Sequence, residues 1–573
     1  MKRTHNCGQL NIANVGQAVL LQGWVKKIRK MGAMNFIDMR DFYGITQLII
    51  DEAHSELIQS IRPEYVIEVT GTVVERKSKN LELPTGEIEI KVTGISIINQ
   101  SELTPFQIEE DLEALEDTRM TYRYLDLRRT SMQQHLKVRA KLNSIFRSVL
   151  EYNNFLEVET PYFGKSTPEG ARDFLVPSRL NRNKFYALPQ SPQLYKQLLM
   201  ISGIDRYYQI ARCFRDEDLR IDRQPEFTQL DLEMSFATGE DVMVIVEELV
   251  KKTLKEFKGI DIKEPLLRMP YREAIKNYGI DKPDLRYDLK IHDLEEIFSN
   301  TTVKMLVGTA MPIRGIMIDQ LLGKRQIEEL TETAKQNGLN GFGFAKVENG
   351  IWSGSIASQL SEQEKVKILE EFEVISNGTL LLQTGPYNVI SQAMGALRIH
   401  LARIFNMADL NDCKPLWVTD FPLFEWNEDE QRFEAAHHPF TMPKDCSLAD
   451  FDTNKANAVA YAYDLVINGY EIGSGSQRIT DPEIQQRMFD AVELTSETVE
   501  RNFGWFMNAY KYGAPYHAGM GLGIDRWAMI MSNAESIRDV IAFPKNSSGI
   551  DPMNNAPDYV AEKQLSELFI KTT

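Results

Sequence analysis

Short segments in which apolar and polar residues alternate dominate the first hundred residues of the chain. Five such segments cover residues 19–30, 35–40, 45–51, 65–75 and 87–98, and a short helical pattern separates the third from the fourth. Alternation with a period of two is typical of strands that bury one face. Five short strands in this order, with one intervening helix, predict a small closed barrel.

Helical spacing predominates further along the chain. Apolar positions recur at helical spacing over 132–152 and predict a long helix, whose end runs into a strand over 153–161. Mixed helix and strand patterns continue to about residue 288 and resume at 414–544. We therefore expect an α+β multidomain protein.

The length of 573 residues exceeds what one ordinary hydrophobic core supports, so several domains are expected. The barrel, of the oligonucleotide-binding (OB) type, should form one of them. The predicted parts are an OB-fold domain at 1–104, a linker at 105–118, a core domain at 119–288 and 409–555, an inserted α+β domain at 289–408 and a C-terminal tail at 556–573.

Composition adds constraints on location and partners. The chain starts without the apolar run of a secretory signal and has no run of about 18 apolar residues, so we expect a cytoplasmic protein without membrane spans. The four cysteines are scattered, which argues against a zinc site or a disulfide framework. The net charge of −17 means that any RNA must bind to local basic patches.

Two alternating segments, 207–217 and 226–235, surround the polar turn 218–225 and predict an antiparallel hairpin. Side chains two positions apart share one face, and Leu230, Leu232 and Met234 take the opposite face. Such a charged face is either solvated or the floor of a polar pocket, and the alternation leaves both possibilities open. The residues of this face are Gln209, Arg215, Glu217, Gln229, Asp231 and Glu233.

A glycine-rich segment at 519–530 predicts a strand that turns into a helix, with Arg526 near the helix start. Glycines let a ligand approach the backbone, and arginine can bind phosphate oxygens with two donors. The segment does not fit the dinucleotide-binding fingerprint because Ile524 occupies the third glycine position. Residues 159–166 likewise fail the phosphate-loop pattern because Glu159 replaces the first glycine.

Three motifs together resemble those of a known family. They are the helix-strand-proline element that ends at Pro161, Phe-Arg-Asp-Glu at 214–217 and Gly-Leu-Gly-Ile-Asp-Arg at 521–526. In this order they resemble the three signature motifs of class II aminoacyl-tRNA synthetases, and the class I signatures are absent. The resemblance implies an antiparallel-sheet catalytic core that binds ATP and Mg²⁺, and a homodimer formed largely through the first motif.

Further strings resemble the bacterial-type aspartyl-tRNA synthetases within this class. They lie at 167–174, 190–196, 223–229, 437–441 and 468–478, and the inserted domain has the position of the extra domain of the bacterial type. The resemblance implies an aspartate–tRNA ligase. Such an enzyme activates L-aspartate with ATP and transfers it to the 3′-terminal adenosine of tRNA(Asp).

The resemblance also implies roles for individual residues. The catalytic residues would be Arg215 and Arg526. Aspartate would be bound by Glu169, Ser191, Gln193, Lys196, Arg215, Asp231, His437 and Arg478. ATP would be bound by Arg215, Asp216, Glu217, Gln224, Glu471, Gly523, Ile524, Asp525 and Arg526, and Mg²⁺ would be held with ATP by Glu471 and Asp464. The tRNA anticodon would be contacted by Arg29, Phe36 and Gln47.

Physical chemistry supports two of these assignments. Aspartate and asparagine have nearly the same shape, so a pocket separates them by charge, as Lys196 and Arg478 would do. A solvated helix lysine is the alternative for Lys196.

His437 and His438 should point in different directions, which makes a metal site there a poor interpretation. A histidine in a loop or at a helix cap is the alternative for His437.

The predicted barrel presents an aromatic side chain on a polar face. Phe36 shares this face with Asp38 and Arg40, whereas Ile37 and Met39 should point inward. An exposed aromatic ring can stack on an unpaired base. The basic neighbourhood that RNA needs would come from Lys26, Lys27, Arg29 and Lys30.

Other functions stay open at this stage. An asparaginyl-tRNA synthetase shares the barrel and core but normally lacks the insertion, and an asparagine-forming ligase would not need the barrel. A non-catalytic tRNA-binding paralogue would be expected to lack one or more of four residues, all of which are present here: Arg215, Glu217, Glu471 and Arg526.

Three positions bear on finer points of the resemblance. Ser474 and Asn154 stand where many relatives have glycine. Some family members charge both tRNA(Asp) and tRNA(Asn), and these often have histidine at the position of Met31. Methionine at this position therefore favours an enzyme that charges tRNA(Asp) only.

Overall fold

The computed structural model describes residues 3–31, 34–51, 55–167, 171–373 and 377–571, so the prediction for Glu169 lies outside the described residues. The chain forms two compact units. One comprises residues 1–134 with 551–555, and the other comprises 135–550 with 556–573. In the described residues, no helix combines the length and the apolar character that crossing a membrane requires.

The first unit contains the predicted barrel. Its elements are β1 (Ala18–Met31), β2 (Met34–Arg40), β3 (Ile45–Ile50), α1 (Ser55–Ser60), β4 (Val66–Glu75) and β5 (Ile88–Asn99). The strands close in the order β1-β2-β3-β5-β4, and Ile37 and Met39 are fully buried inside, as their alternation predicted. The barrel and its inward face are therefore confirmed.

Three helices follow the barrel: α2 (Glu116–Thr121), α3 (Arg123–Asp126) and α4 (Thr130–Tyr152). The long helix predicted over 132–152 is confirmed as α4. Asn154 follows it with a φ of 61°, in the left-handed region that asparagine tolerates better than most residues. This conformation explains why asparagine can stand here in place of glycine.

The second unit holds the other elements. Its strands are β6 (Leu156–Glu157), β7 (Leu175–Pro177), β8 (Phe185–Ala187), β9 (Arg206–Phe214), β10 (Glu226–Ser235), β11 (Leu267–Pro270), β12 (His292–Asp293), β13 (Ile313–Ile318), β14 (Gly343–Glu348), β15 (Ile351–Ser353), β16 (Asn377–Thr384), β17 (Pro415–Thr419), β18 (Phe424–Asn427), β19 (Arg432–Ala435), β20 (Ala462–Ile467), β21 (Tyr470–Gln477) and β22 (His517–Gly523). Its helices are α5 (Gln193–Ile201), α6 (Gly239–Lys258), α7 (Tyr271–Tyr278), α8 (Lys324–Gln336), α9 (Glu362–Glu371), α10 (Tyr387–Ile404), α11 (Pro482–Ala491), α12 (Ser496–Tyr510), α13 (Ile524–Met531), α14 (Ile537–Val540) and α15 (Glu562–Glu567).

A large sheet of eight strands supports the site described below. Its strand order is β11-β17-β20-β21-β22-β10-β9-β6. The pairs are antiparallel except at the two edges, where β11 pairs with β17 and β6 pairs with β9 in parallel. Both the charged hairpin, β9–β10, and the glycine-rich strand, β22, are thus adjacent strands of one sheet.

Helix α6 covers the apolar face of this sheet. It begins with a capping box between Thr238 and Asp241 and ends at Gly259, whose φ of 68° suits glycine. Val242, Val246 and Leu249 are fully buried and belong to the same hydrophobic core as Leu230 and Leu232 of β10. Burial of each such side chain typically contributes about 1.5–3 kcal/mol to the stability of the fold. Because α6 covers only the apolar face of the sheet, the opposite, polar face of β10 is free to form a site.

The segment between α7 and β17 builds a sheet of its own. Five strands in the order β12-β13-β16-β14-β15 form it, and α8, α9 and α10 accompany them. This agrees with the separate helix and strand signals seen in the sequence.

Candidate active site

A cavity of about 360 Å³ lies on the polar face of the eight-stranded sheet. Its wall comes from α5, the β9–β10 hairpin, residues 437–440, β21, β22 and the start of α13. The charged face of the hairpin is therefore the floor of a cavity and not a solvated surface. The residues from the sequence analysis that line this cavity are Ser191, Gln193, Lys196, Arg215, Glu217, Gln224, Asp231, His437, Glu471, Arg478, Gly523, Asp525 and Arg526.

Three residues with an expected role lie apart from the cavity wall. Asp216 is exposed and lies 3.6 Å from Arg172. The Ile524 side chain packs in the hydrophobic core, so a contact with ATP would have to use its backbone. Asp464 is buried on β20 beside His437.

Two cations that are far apart in sequence meet at one end of the cavity. Lys196 Nζ lies 2.5 Å from Asp231 Oδ1 and 3.2 Å from Glu233 Oε2. Arg478 donates from Nε and Nη2 to the two oxygens of Glu233, at 2.8 and 3.1 Å. The Lys196 side chain is only 1% exposed, so its alternative interpretation as a solvated helix lysine is wrong.

Glu233 bridges the two cations, and sequence reasoning assigned it no role. It follows Asp231 by two positions on the same face of β10, and this was the available signal. Burial tends to raise its pKa, but Arg478 and Lys196 outweigh burial and lower the pKa to about 2. A Cβ at Gly519 on the neighbouring strand would lie 1.8 Å from Glu233 Oε2, so only glycine fits there. The pocket thus holds two cations and two carboxylates.

His437 and His438 point to different partners, as their adjacency predicted. His437 lies 3.8 Å from Asp464 and packs edge-on against the Phe421 ring. Arg478 Nη1 lies 2.7 Å from His438 Nε2, and since a guanidinium only donates, this nitrogen accepts. His438 therefore fixes the arginine from the side opposite Glu233, a role that the sequence did not reveal.

The His438 side chain links the site to pH. Burial lowers its pKa well below the usual range, and the positive charge of Arg478 acts in the same direction. In the unfolded chain an imidazole takes up a proton near pH 6.5, so the unfolded state binds more protons below this pH and stability falls.

Below pH 6.5 we expect the unfolding free energy of the wild type to fall more steeply with decreasing pH than that of the His438→Gln variant. The difference between the two slopes should be about 1 kcal/mol per pH unit. Urea unfolding at pH 7.0 and 5.5 measures this difference, with His5→Gln as a control that leaves the network intact. An identical pH dependence in wild type and H438Q would contradict the assignment of a neutral His438.

The opposite end of the cavity carries groups suited to phosphates. The guanidinium of Arg215 lies over the Phe227 ring, 5.1 Å from its centroid. Arg526 donates from Nη1 to the carbonyl of Glu471 at 2.8 Å and from Nη2 to Asp222 at 3.1 Å. Gln224 holds the backbone of Lys545 through two hydrogen bonds, at 2.8 and 3.0 Å.

Glu471 and Asp464 bring carboxylates towards this end from neighbouring strands. Asp464 Oδ1 is buried without a hydrogen-bond donor in the described residues. Burial raises the pKa of Asp464, the negative Glu471 acts in the same direction, and His437 and Ser474 oppose them. Serine at 474 therefore contributes a hydroxyl that glycine would lack.

Asp525 takes a structural position below the cavity. Its Oδ2 accepts a hydrogen bond from the Thr228 backbone nitrogen at 2.8 Å, and its Oδ1 pairs with Arg139 of α4. Arg139 also donates to the Thr228 hydroxyl at 2.9 Å and to the Val540 carbonyl at 3.3 Å. The carboxylate thus ties α4, β10 and α13 together directly before Arg526.

We expect Arg139→Gln to lower the unfolding free energy by about 3 kcal/mol, because the Asp525 carboxylate would be buried without a counter-charge. Adding Asp525→Asn should restore part of this loss, since the unpaired charge disappears. Urea denaturation of the single and double variants measures the coupling. Strictly additive losses would show that the two side chains do not act as a pair.

The barrel of the first unit carries a second cluster, at the predicted anticodon-binding residues. Arg29 Nη2 donates to Asp38 at 2.6 Å and to Gln47 Oε1 at 3.0 Å, and Gln47 Nε2 donates to Glu89 at 2.6 Å. Phe36 lies opposite Arg29 in the register of β1 and β2 and is half-buried. Gln47 is buried with both ends of its amide engaged, so Arg29 is the more accessible donor.

Two details of this cluster differ from what the sequence suggested. Arg40 was expected on the polar face, but it is buried and pairs with Glu64 at 2.6 Å. Glu89 was not singled out, because its contact with Gln47 depends on the pairing of β3 with β5, which sequence alternation does not specify.

Comparison with known proteins agrees with this fold. Residues 19–98 match the OB-fold nucleic acid binding domain, and residues 115–547 match the tRNA synthetases class II (D, K and N). The crystal structure of asparaginyl-tRNA synthetase from Pyrococcus horikoshii, complexed with asparaginyl-adenylate, has the same fold, with a TM-score of 0.58 at 20% identity. The alignment covers 95% of this chain and 98% of that one. Residues 115–547 therefore form the core of a class II aminoacyl-tRNA synthetase.

Closer relatives narrow this class. The aspartate–tRNA ligase of Mycoplasma mycoides subsp. mycoides SC is 67% identical over 100% of both chains. The aspartate–tRNA(Asp/Asn) ligase of Caldanaerobacter subterraneus subsp. tengcongensis is 47% identical, over 100% of this chain and 98% of its own. The chain belongs to the aspartate–tRNA ligase family, and the resemblance inferred from its motifs is confirmed.

Proposed function

We propose that the protein activates L-aspartate with ATP to form aspartyl-adenylate and pyrophosphate, and then transfers aspartate to the 3′-terminal adenosine of tRNA(Asp). The observation that carries this proposal is the convergence of Lys196 and Arg478 in one buried pocket beside phosphate-binding groups. Buried ion pairs stabilise a fold only weakly. Four buried charges at a cavity wall are better explained by binding than by stability.

Lys196 and Arg478 would hold the side-chain carboxylate of aspartate. The pocket already balances two cations with two carboxylates, so the substrate carboxylate competes with Asp231 and Glu233 for the same donors. Asparagine has the same shape but brings an amide, whose NH₂ group would face these cations as a donor. Discrimination against asparagine therefore rests on charge and on the direction of the hydrogen bonds.

The α-amino group of aspartate needs acceptors. Asp231 is placed to supply one, and Gln193 and Ser191 lie beside it in the cavity wall. Towards the ammonium group Gln193 would accept through its Oε1. The buried Nε2 of Gln193 has no hydrogen-bond acceptor within the described residues, so it would donate to an oxygen of the substrate. Glu169, which the family resemblance also assigns to this group, stays a prediction.

The first step forms a bond from a carboxylate oxygen of aspartate to the α-phosphorus and releases pyrophosphate. Arg215 would contact both the α-carboxylate and the α-phosphate, where negative charge develops. Arg526 would bind the terminal phosphate, and Glu217, Gln224 and Gly523 would contact ATP. In the second step the adenosine hydroxyl attacks the carbonyl carbon and AMP leaves. No side chain acts as a nucleophile.

Mg²⁺ would be held by Glu471 and Asp464 together with the phosphates of ATP. Two carboxylates are a typical protein share of a magnesium site, and Asp464 Oδ1, which lies 3.8 Å from His437 Nε2 and has no closer donor in the described residues, fits this role. No group of three or more metal-binding side chains occurs among the described residues, which agrees with a site completed by substrate. When bound, Mg²⁺ would neutralise charge on the phosphates.

Arg29, Phe36 and Gln47 would bind the anticodon, and Met31, which is 67% exposed at the end of β1, would favour strict selection of tRNA(Asp). Apolar side chains exposed near the end of α4 and after it support a homodimer: Tyr152, Leu156, Tyr162 and Phe163. A cytoplasmic location follows from the substrates.

Charging of purified tRNA(Asp) and tRNA(Asn) in parallel tests the proposal. We expect the kcat/KM for attachment of aspartate to tRNA(Asp) to be at least about 10²-fold above that for tRNA(Asn). A few good contacts to bases supply discrimination of this size. Equal charging of the two tRNAs would overturn strict selection. If neither tRNA were charged with aspartate, the proposed function itself would be overturned.

A further inference from the structure

A hairpin that precedes the cavity-lining residues Gln190 and Ser191 in the chain has an unusual charge for this protein. Strands β7 and β8 are joined by residues 178–184, which contain Arg179, Arg182 and Lys184. The segment 174–190 contains these three cations and no acidic residue, in a chain whose net charge is −17. A cationic segment on a strongly acidic protein is a local electrostatic feature that favours a polyanion.

The cations of this hairpin are available to a partner. The loop residues 179–184 and the following Phe185 are exposed. Arg182 lies over the Phe569 ring at 4.6 Å, and Arg179 and Lys184 form no salt bridge to a carboxylate within the described residues. By contrast, basic residues on the exposed helix α8 pair with nearby glutamates, as Arg325 does with Glu329 at 2.9 Å.

Backbone hydrogen bonds hold the base of the hairpin just before the chain reaches the cavity wall. Ala187 exchanges two backbone hydrogen bonds with Gly164, both of 3.0 Å, and Leu188 donates to Phe174 at 2.9 Å. The chain then continues into Gln190 and Ser191, which line the cavity. Extended chain covers about 3.3 Å per residue, so Lys184 lies at most about 20 Å along the chain from Gln190.

We propose that the basic hairpin, residues 175–187, binds the phosphate backbone of the acceptor arm of tRNA when its 3′ end enters the cavity. This inference rests on the proposed function. The transfer step requires the terminal adenosine inside the cavity, and the RNA strand that carries it has to cross the rim. The hairpin carries Arg179 and Lys184 on a segment that continues into Gln190 and Ser191 of the cavity wall, and the exposed Phe185 ring offers an apolar surface in the same segment.

A second copy of the acidic chain is the competing occupant. Phe163, one of the apolar residues that support a homodimer, packs against Tyr186 of the hairpin, with 5.4 Å between the ring centroids. RNA is favoured because the hairpin continues directly into the cavity wall and its exposed loop carries cations without an acidic residue. Phosphate contacts give a specific signature: removal of one cation that touches a phosphate lowers the slope of log affinity against log salt by about 1.

The test compares Arg179→Gln/Lys184→Gln with Lys324→Gln/Arg325→Gln, a matched pair of exposed cations on α8. Aminoacylation of tRNA(Asp), and of an RNA hairpin that reproduces only its acceptor arm, is measured from 50 to about 200 mM salt. We expect kcat/KM for both RNAs to fall about tenfold in the hairpin variant at the lowest salt, and the salt slope to become shallower by about 2. Aspartate-dependent ATP–pyrophosphate exchange should equal that of the wild type, and the α8 variant should match the wild type throughout.

Three outcomes would overturn the inference. An unchanged salt slope and kcat/KM would show that the hairpin does not contact RNA. An equal loss in pyrophosphate exchange would show that the substitutions disturb the cavity itself. A shift to half the native mass in light scattering would assign the hairpin to a contact between two copies. Failure of the proposed function is distinguishable, because the wild type would then charge no tRNA.

Discussion

Arg478→Gln is expected to lower kcat/KM for aspartate in ATP–pyrophosphate exchange by about 10²- to 10³-fold, with little change in KM for ATP. A cation about 4 Å from the substrate carboxylate contributes on the order of 4 kcal/mol at a moderate effective dielectric. The variant also frees Glu233, whose negative charge would then repel aspartate. Lys196→Met should have an effect of similar size, because Lys196 shares the same carboxylates.

Arg478→Lys separates charge from geometry. It keeps the positive charge but loses the two parallel hydrogen bonds to Glu233, so we expect an intermediate loss. Lys324→Met on the exposed face of α8 is a control for removal of a lysine, and thermal unfolding of each variant checks the fold. An unchanged kcat/KM for aspartate, or an equal loss for ATP, would show that the two cations do not recognise the amino acid.

Arg215→Gln is expected to reduce kcat for adenylate formation by about 10³-fold, while KM for aspartate and ATP changes by less than about tenfold. The reason is that charge on the α-phosphate oxygens grows in the transition state, and one donor aimed at such charge contributes about 2.7–4 kcal/mol. Single-turnover formation of adenylate measures this step without interference from transfer.

The matched control is Arg220→Gln, which removes an exposed arginine from the same hairpin connection. This variant should retain the adenylation rate of the wild type. If R215Q raised KM for both substrates and left kcat intact, Arg215 would serve ground-state binding only, and the assignment of transition-state stabilisation would be wrong.

The local elements of this fold follow from periodic patterns. Alternation over 19–98 predicted the five barrel strands, and spacing over 132–152 predicted α4, because the apolar face of each element must reach a core. The hairpin β9–β10 was predicted with its face of Gln229, Asp231 and Glu233. Strand β9 ends at Phe214, however, and the chain is irregular where Arg215 and Glu217 enter the cavity.

The contacts between side chains inside the site could not be predicted from local sequence patterns. Arg478 and Glu233 are 245 positions apart, and Arg139 and Asp525 are 386 positions apart, so only the folded sheet brings them together. A motif also does not distinguish side chains that face a ligand from those that support them. Asp525 and Ile524 belong to the glycine-rich motif, yet one pairs with Arg139 and the other packs in the core.

The most direct measurement of the central claim is ATP–pyrophosphate exchange by the wild-type protein with L-aspartate and L-asparagine in parallel. The paired cations Lys196 and Arg478 predict exchange with aspartate and a kcat/KM for asparagine lower by about 10⁴-fold, since an amide cannot satisfy a site built for a carboxylate. Exchange driven by asparagine but not by aspartate would contradict the account.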